Sequence, residues 1–339
     1  MVWPTVYDGD AMNRKPIAPL AAALCMAVCA VLPGADATRA TRADVDRWMQ
    51  ELSNWGRWGK DDQKGTFNLI TPAVRKRAAT LVRAGLSVSL ARTDSTEDAP
   101  DNRPAFGHAM LVTSADPSAQ YAMDRYTQAY HGSGITHLDA LCHMLGGATL
   151  FNGFPRDSVT QAGATKLDVL NFKDGIFARG VLMDIPRLRD LPFLEPGTPI
   201  YPEDLEAWVK KAGIKVEPGD VVLIRTGRWA RRAKLGPWDI GAKAAGLYAS
   251  CARWLHAHDA AILGSDFAAD AMPSGVDGVA MPIHKLALVS MGMPILDNCD
   301  LEALSETAAR LRRWEFLIVA APEPVPGGTG SPINPVALF

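Results

Sequence analysis

Beyond its first 35 residues, the 339-residue chain has no apolar run of the roughly 20 residues that a bilayer span needs. Cysteine is scarce, five in all with no CxxC pair, which excludes a disulfide framework and a thiolate zinc site. Charge of one sign is missing too: 35 Lys and Arg stand against 37 Asp and Glu, a net −2 at pH 7. That balance provides no field to draw nucleic acid or an anionic membrane. There is no internal repeat, no Gly-rich phosphate loop and no GxSxG elbow, which counts against nucleotide chemistry and an α/β-hydrolase. What the chain does have is 48% AVILMFWYC and 21% charged residues, the composition of a globular protein with a sizeable core.

From Met12 the sequence runs Asn13-Arg14-Lys15, then the apolar stretch Pro16 to Leu32, then Pro33-Gly34-Ala35-Asp36-Ala37. A basic, then apolar, then small-residue order predicts a secretory signal peptide over 1–37, cleaved after Ala37, with Met12 as the simplest start. The mature chain, 38–339, is then one domain in the periplasm or outside the cell, with no membrane attachment after cleavage. Its cysteines Cys142, Cys251 and Cys299 are odd in number and widely spaced, and read as small buried hydrophobes.

Along the mature chain, helices are predicted over Thr41–Leu52, from Thr71-Pro72 to Ala84, and over Pro202–Lys211, Ala242–His258 and Leu301–Leu311. Strands are predicted over Leu86–Leu90, Ala105–Thr113, Gly180–Ile185, Asp220–Arg225, Ala261–Leu263 and Phe316–Ala321. Strands outnumber the helices between them, which favours a mixed α/β domain over a strict βαβ repeat.

Three of the seven histidines fall in one stretch, His131-Gly-Ser-Gly-Ile-Thr-His137-Leu-Asp139-Ala-Leu-Cys-His143. In an extended segment, His137 and Asp139 leave the same face. Asp139 and His143 share a face if the chain turns helical just after Asp139. Imidazole and carboxylate delivered together suit a divalent transition metal. An isolated HxD pair is common and by itself usually structural; three of seven histidines gathered with an Asp make a ligand set as good a reading as a satisfied core.

The segment THLDALCH (136–143) resembles the metal-binding signature of the cyclase-type amidohydrolase family, which includes bacterial kynurenine formamidases and isatin hydrolases. Further stretches resemble its longer bacterial members: WGKDDQKGTFNLITP (58–72), GDVVLIRTGRW (219–229), HKLALVSMGMPILDNCDLEAL (284–304) and GGTGSPINPVA (327–337). The resemblance implies a mixed-sheet, kynurenine formamidase-like α/β fold with a swivelling β/β/α core, assembled as a homodimer or homotetramer. It implies a hydrolase using a metal-activated water on a cyclic or N-acyl amide, such as an isatin-like lactam or an arylformamide, with one or two Zn²⁺ or Mn²⁺ ions per chain. By position, His137 and Asp139 match the second His and the Asp of the family's HxGTHxD ligand motif. His143 matches its catalytic acid/base, and His284 and Asp297 match groups that complete the site or hold a second metal. Ser133 stands where shorter members carry the first ligand His, so a bulge must bring His131 to the metal or that ligand is absent. Asp297 replaces a Glu. Two other readings use the same fold: a lactone or ester hydrolase, and an inactive binding protein. Asp266, at the end of a predicted strand, is a weaker site candidate. Trp55, Trp58, Trp229 and Trp238 are candidates for an aromatic pocket, and the Trp58–Asn68 segment for a lid.

Overall fold

The computed structural model describes residues 39–339, so the predicted signal peptide lies outside the described residues. Nine strands form one mixed sheet: β1 (Ser87–Ser89), β2 (His137–Asp139), β3 (Ile176–Asp184), β4 (Val221–Arg225), β5 (Ile262–Ser265), β6 (Ile295–Asp297), β7 (Glu315–Ala320), β8 (Gly330–Pro332) and β9 (Val336–Leu338). Their order across the sheet is β1-β9-β7-β3-β4-β5-β6-β2-β8. The mixed α/β fold expected from the sequence is therefore present.

The central strands β3, β4, β5 and β6 run parallel to one another. Parallel strands are joined by crossovers that cover both faces, so their sequences are near-continuous apolar runs. VVLIR in β4 is buried at every position. Trp208, from the helix Pro202–Ala212, is buried against this layer, and its indole N–H donates to the Leu182 carbonyl at 2.8 Å. That helix begins at a proline and stops at Gly213, whose φ of +65° lies in the left-handed region that favours glycine. At the N-terminal end, Thr41 and Asp44 form a reciprocal capping box on Arg42–Glu51, which buries Val45 and Trp48.

The predicted long helix over 242–258 is corrected by the structure. Only Cys251–Ala257 is helical, while Gly246–Leu247 pairs in parallel with Pro199–Ile200. Leu247 N–H donates to the Ala269 carbonyl and Tyr248 N–H to the Ile200 carbonyl, so neighbouring strands have taken the groups a helix would use. Gly246 lies directly against the Asp270 backbone, with no room for a Cβ. Gly246→Ala is expected to lower the free energy of unfolding by about 1–3 kcal/mol, the usual cost of overpacking. An unchanged urea midpoint would contradict this close approach.

Strand β2 departs from chain order. It comes from the first half of the sequence yet sits antiparallel between β6 and β8. The segment preceding the helix Pro72–Ala79 is also docked in the core. Thr66 donates from Oγ1 to the Ala261 carbonyl at 2.7 Å, Gly65 abuts Gly292, and Phe67 is buried. The Trp58–Asn68 region is thus anchored at its C-terminal end.

Candidate metal centre

The pleat of β2 turns His137 and Asp139 to one face and Leu138 to the other. The antiparallel register with β6 sets Asp297 opposite His137 and Ile295 opposite Asp139. Asp297, which lies about 160 residues further along the chain, joins the HxD pair by strand pairing alone. All three residues are buried. His137 Nδ1 lies 2.8 Å from the Ile135 carbonyl. A carbonyl only accepts, so Nδ1 donates to it, and Nε2 is the nitrogen that faces Asp139 Oδ1, 3.4 Å away.

His131 does reach this point. Its Nδ1 stands 2.9 Å from Asp139 Oδ1, and its Nε2 is 2.9 Å from Thr329 Oγ1. After β2 the chain makes a single turn, with His143 N–H donating to the Ala140 carbonyl at 2.9 Å. The turn brings His143 Nε2 to 3.9 Å from Asp139 Oδ2. The rings of His131 and His143 stack with centroids 3.9 Å apart and planes within 15°.

His284 enters from the opposite side, on the helical turn Pro282–His284 that continues as a wider helix over Lys285–Met291. Its Nε2 lies 3.3 Å from Asp297 Oδ2 and 3.6 Å from Asp139 Oδ2. Its Nδ1 lies 2.7 Å from Asp270 Oδ2, and Asp270 also accepts the backbone N–H groups of Ile283 and His284. This carboxylate–imidazole pair fixes the ring as metal sites do. Asp270 escaped the sequence reading, since an Asp in an Ala-rich loop carries no spacing signal.

Burial pushes the Asp139 carboxyl up, but His143, His131, His284 and His137 around it hold it well below the usual range. Burial lowers His143 to about 4, against the opposing pull of Asp139. His284 goes the other way: Asp297, Asp139 and Asp270 outweigh burial and raise it well above its ordinary value. Burial also raises Asp297, with His284 opposing.

Among the described residues, both Asp139 oxygens and Asp297 Oδ1 are buried without a donor in hydrogen-bonding geometry. A buried carboxylate left this way is costly unless a cation completes it. Among the described residues, two groups have ligand atoms within 4.8 Å of one another: His131, Asp139 and His143; and His137, Asp139 and Asp297. Asp139 belongs to both. The residues therefore fit a divalent ion, and fit two if Asp139 is shared.

The remaining candidates lie elsewhere. Asp266 is buried and accepts from Thr226 and Gly227, tying down the loop after β4. His108 pairs with Asp124 on an exposed hairpin, and His258 bonds the Trp254 carbonyl. Trp229 is buried and donates to the Cys299 carbonyl. Cys142, Cys251 and Cys299 are buried free thiols, as the sequence suggests. A cavity of about 880 Å³ lined by Tyr201, Tyr248, Pro273 and Val276 contains none of the six cluster residues.

The fold and this cluster define an α/β protein with a buried histidine–carboxylate centre of metal-binding type. Residues 86–271 match the family model described as Cyclase. A crystal structure described as a novel cyclase is similar to the chain, with 34% identity over 85% of this chain and 100% of its own, and a TM-score of 0.76. The chain belongs to the cyclase family. Isatin hydrolase A from Ralstonia solanacearum shares the fold at 19% identity, covering 78% of this chain and 95% of its own, with a TM-score of 0.53. An isatin hydrolase bound to the product analogue thioisatinate does so at 19% identity, with the same coverage and a TM-score of 0.55. No curated protein matches the chain significantly.

Proposed function

We propose that the chain is a metal-dependent hydrolase of a cyclic or N-acyl amide, isatin-like or arylformamide-like, with one or two Zn²⁺ or Mn²⁺ ions per chain. The observation that carries this reading is Asp139, whose two oxygens have no donor in hydrogen-bonding geometry among the described residues and which belongs to both ligand groups, with His131 and His143 and with His137 and Asp297. The isatin hydrolases that share the fold support the substrate class.

In this reading His137, Asp139, Asp297, His284 and His131 hold the metal. A divalent ion there would polarise the substrate carbonyl and lower the pKa of a coordinated water towards about 7. His137 is oriented for that task by the Ile135 carbonyl, and His284 by Asp270. His143 has the most solvent-accessible side chain of these groups, 29% exposed. Because burial holds it near 4, it is neutral at neutral pH. Its imidazole takes the proton of the attacking water and returns it to the leaving nitrogen. The same machinery serves a lactone or ester, since none of the cluster residues is committed to reading the leaving atom.

The test is metal content of wild type and His137→Ala by elemental analysis, with an N-formyl aromatic amine, an isatin-like lactam and a lactone assayed in parallel. Metal lost in the variant, with turnover of the lactam or formamide, is the expected result. Absence of metal from wild type supplied with Zn²⁺ and Mn²⁺ would sink the proposal. Metal bound with none of the three substrates turned over would favour a binding protein. Asp270→Asn is expected to weaken metal affinity by about 10–100-fold through His284 while the fold survives. A chelator competition titration measures this, and an unchanged affinity would contradict the role given to Asp270.

A further inference from the structure

The loop that carries His131 is held from behind by a buried arginine. Arg228 follows the left-handed Gly227 at the start of the helix Arg228–Leu235. Its side chain is buried, with the guanidinium 3.9 Å from the Trp229 ring centroid and 5.2 Å from that of Phe267. Among the described residues, no carboxylate oxygen accepts from the guanidinium. Instead Nη2 donates to the carbonyls of Ser133 and Asp101, and Nη1 donates to the Asp266 carbonyl and, at 2.7 Å, to Asn298 Oδ1. Nε has no partner.

Asn298 continues the contact. It follows Asp297 directly, with a φ of +56° that Asn tolerates better than most residues. Its Nδ2 donates to the Gly132 carbonyl at 2.7 Å and the Ile135 carbonyl at 3.1 Å, and its own carbonyl accepts from Thr136 Oγ1 at 2.7 Å. Gly134 packs on the Asn102 side chain with no space for a Cβ. The carbonyls of Gly132, Ser133 and Ile135 are thus all captured. These residues form the bulge that takes His131 from its extra distance in sequence to 2.9 Å from Asp139.

We propose that Arg228, acting through the Ser133 carbonyl and Asn298, is the positioning residue that places His131 at the metal centre. The proposal rests on reading the cluster as a metal site. A buried cation spent on neutral carbonyls is an expensive way to support a loop. Its planar fork reaches Ser133 and Asn298 at once, and one ammonium cannot duplicate that span. The Ser133 bond bears on the loop of His131 alone, while Asn298 also touches His137 indirectly, because its Nδ2 shares the Ile135 carbonyl with His137 Nδ1.

The experiment compares wild type, Arg228→Met and Arg228→Lys, with Arg225→Met as a control for loss of a buried arginine. Arg225 serves the ion network of Asp184 and Glu302, away from the loop. Co²⁺ is titrated into each protein. Separately, the imidazole ¹H–¹⁵N signals of His131 and His137 are recorded in the metal-free proteins. Both Arg228 variants are expected to bind the His131-dependent ion about 10–100-fold more weakly, the usual loss when a supporting residue of a metal ligand is removed. The His131 signals should shift, and by more than those of His137, which Asn298 reaches only through the shared Ile135 carbonyl. Arg228→Lys carries the comparison if Arg228→Met does not fold. Unchanged Co²⁺ affinity and His131 signals in the folded Arg228 variants would overturn the proposal, as would equal losses in Arg225→Met. Should wild type bind no Co²⁺, the metal reading falls, and the His131 signals still decide whether Arg228 sets that side chain.

Discussion

Asp139→Asn is expected to abolish metal uptake at both positions together. The substitution keeps the shape of the side chain and removes the charge on which four imidazoles converge. Breaking a buried, charge-paired contact costs about 3–5 kcal/mol, which corresponds to about 10²–10⁴ in affinity. Asp297→Asn provides the contrast, because Asp297 belongs to only one of the two ligand groups. Elemental analysis after dialysis distinguishes them: neither position is filled in Asp139→Asn, whereas Asp297→Asn keeps the position beside His131 and Asp139. One ion per chain retained by Asp139→Asn would show that the carboxylate is not shared.

His143→Gln is expected to slow turnover by about 10²–10⁴-fold, the usual contribution of a general acid/base, with metal content close to wild type. Loss of metal in this variant would instead make His143 a ligand, a role its place beside His131 and Asp139 permits. A second consequence concerns the metal-free protein. A histidine held at about 4 when folded and near its ordinary 6.5 when unfolded binds its proton first in the unfolded chain. It therefore contributes stability above about 6.5, and that contribution is lost as pH falls from there to about 4. The whole effect is at most about 3 kcal/mol. Urea unfolding of metal-free His143→Gln should show a shallower decline over that window. An identical pH profile would mean that the group is not desolvated as its surroundings imply.

The HxD pair was legible in the sequence because strand periodicity is local: residues two apart share a face wherever the strand lies. The central strand β4 was legible for a similar reason, since VVLIR is buried at every position. Neither argument reaches Asp297, which joins His137 through antiparallel register. Asp297 and His284 were found only through family resemblance. Asp270, Arg228 and Asn298 were missed because what they do depends on contacts across 13 to 166 positions of sequence, and single residues of common type leave no pattern. The helix wrongly expected over 242–258 failed for a related reason. Its local propensity was sound, but hydrogen bonds to Ile200 and Ala269 overrode it.

The place of β2 between β6 and β8 has a consequence for how the molecule comes into being. A ribosome has released His137 and Asp139 long before the strands that flank them exist. Only when Pro332 has emerged can β2 acquire both neighbours. The parallel core from β3 to β6 is free to pair earlier. Such non-local closure is intrinsically slow. A nascent chain stalled short of β8 would carry every residue of the cluster, with β2 paired along one edge only.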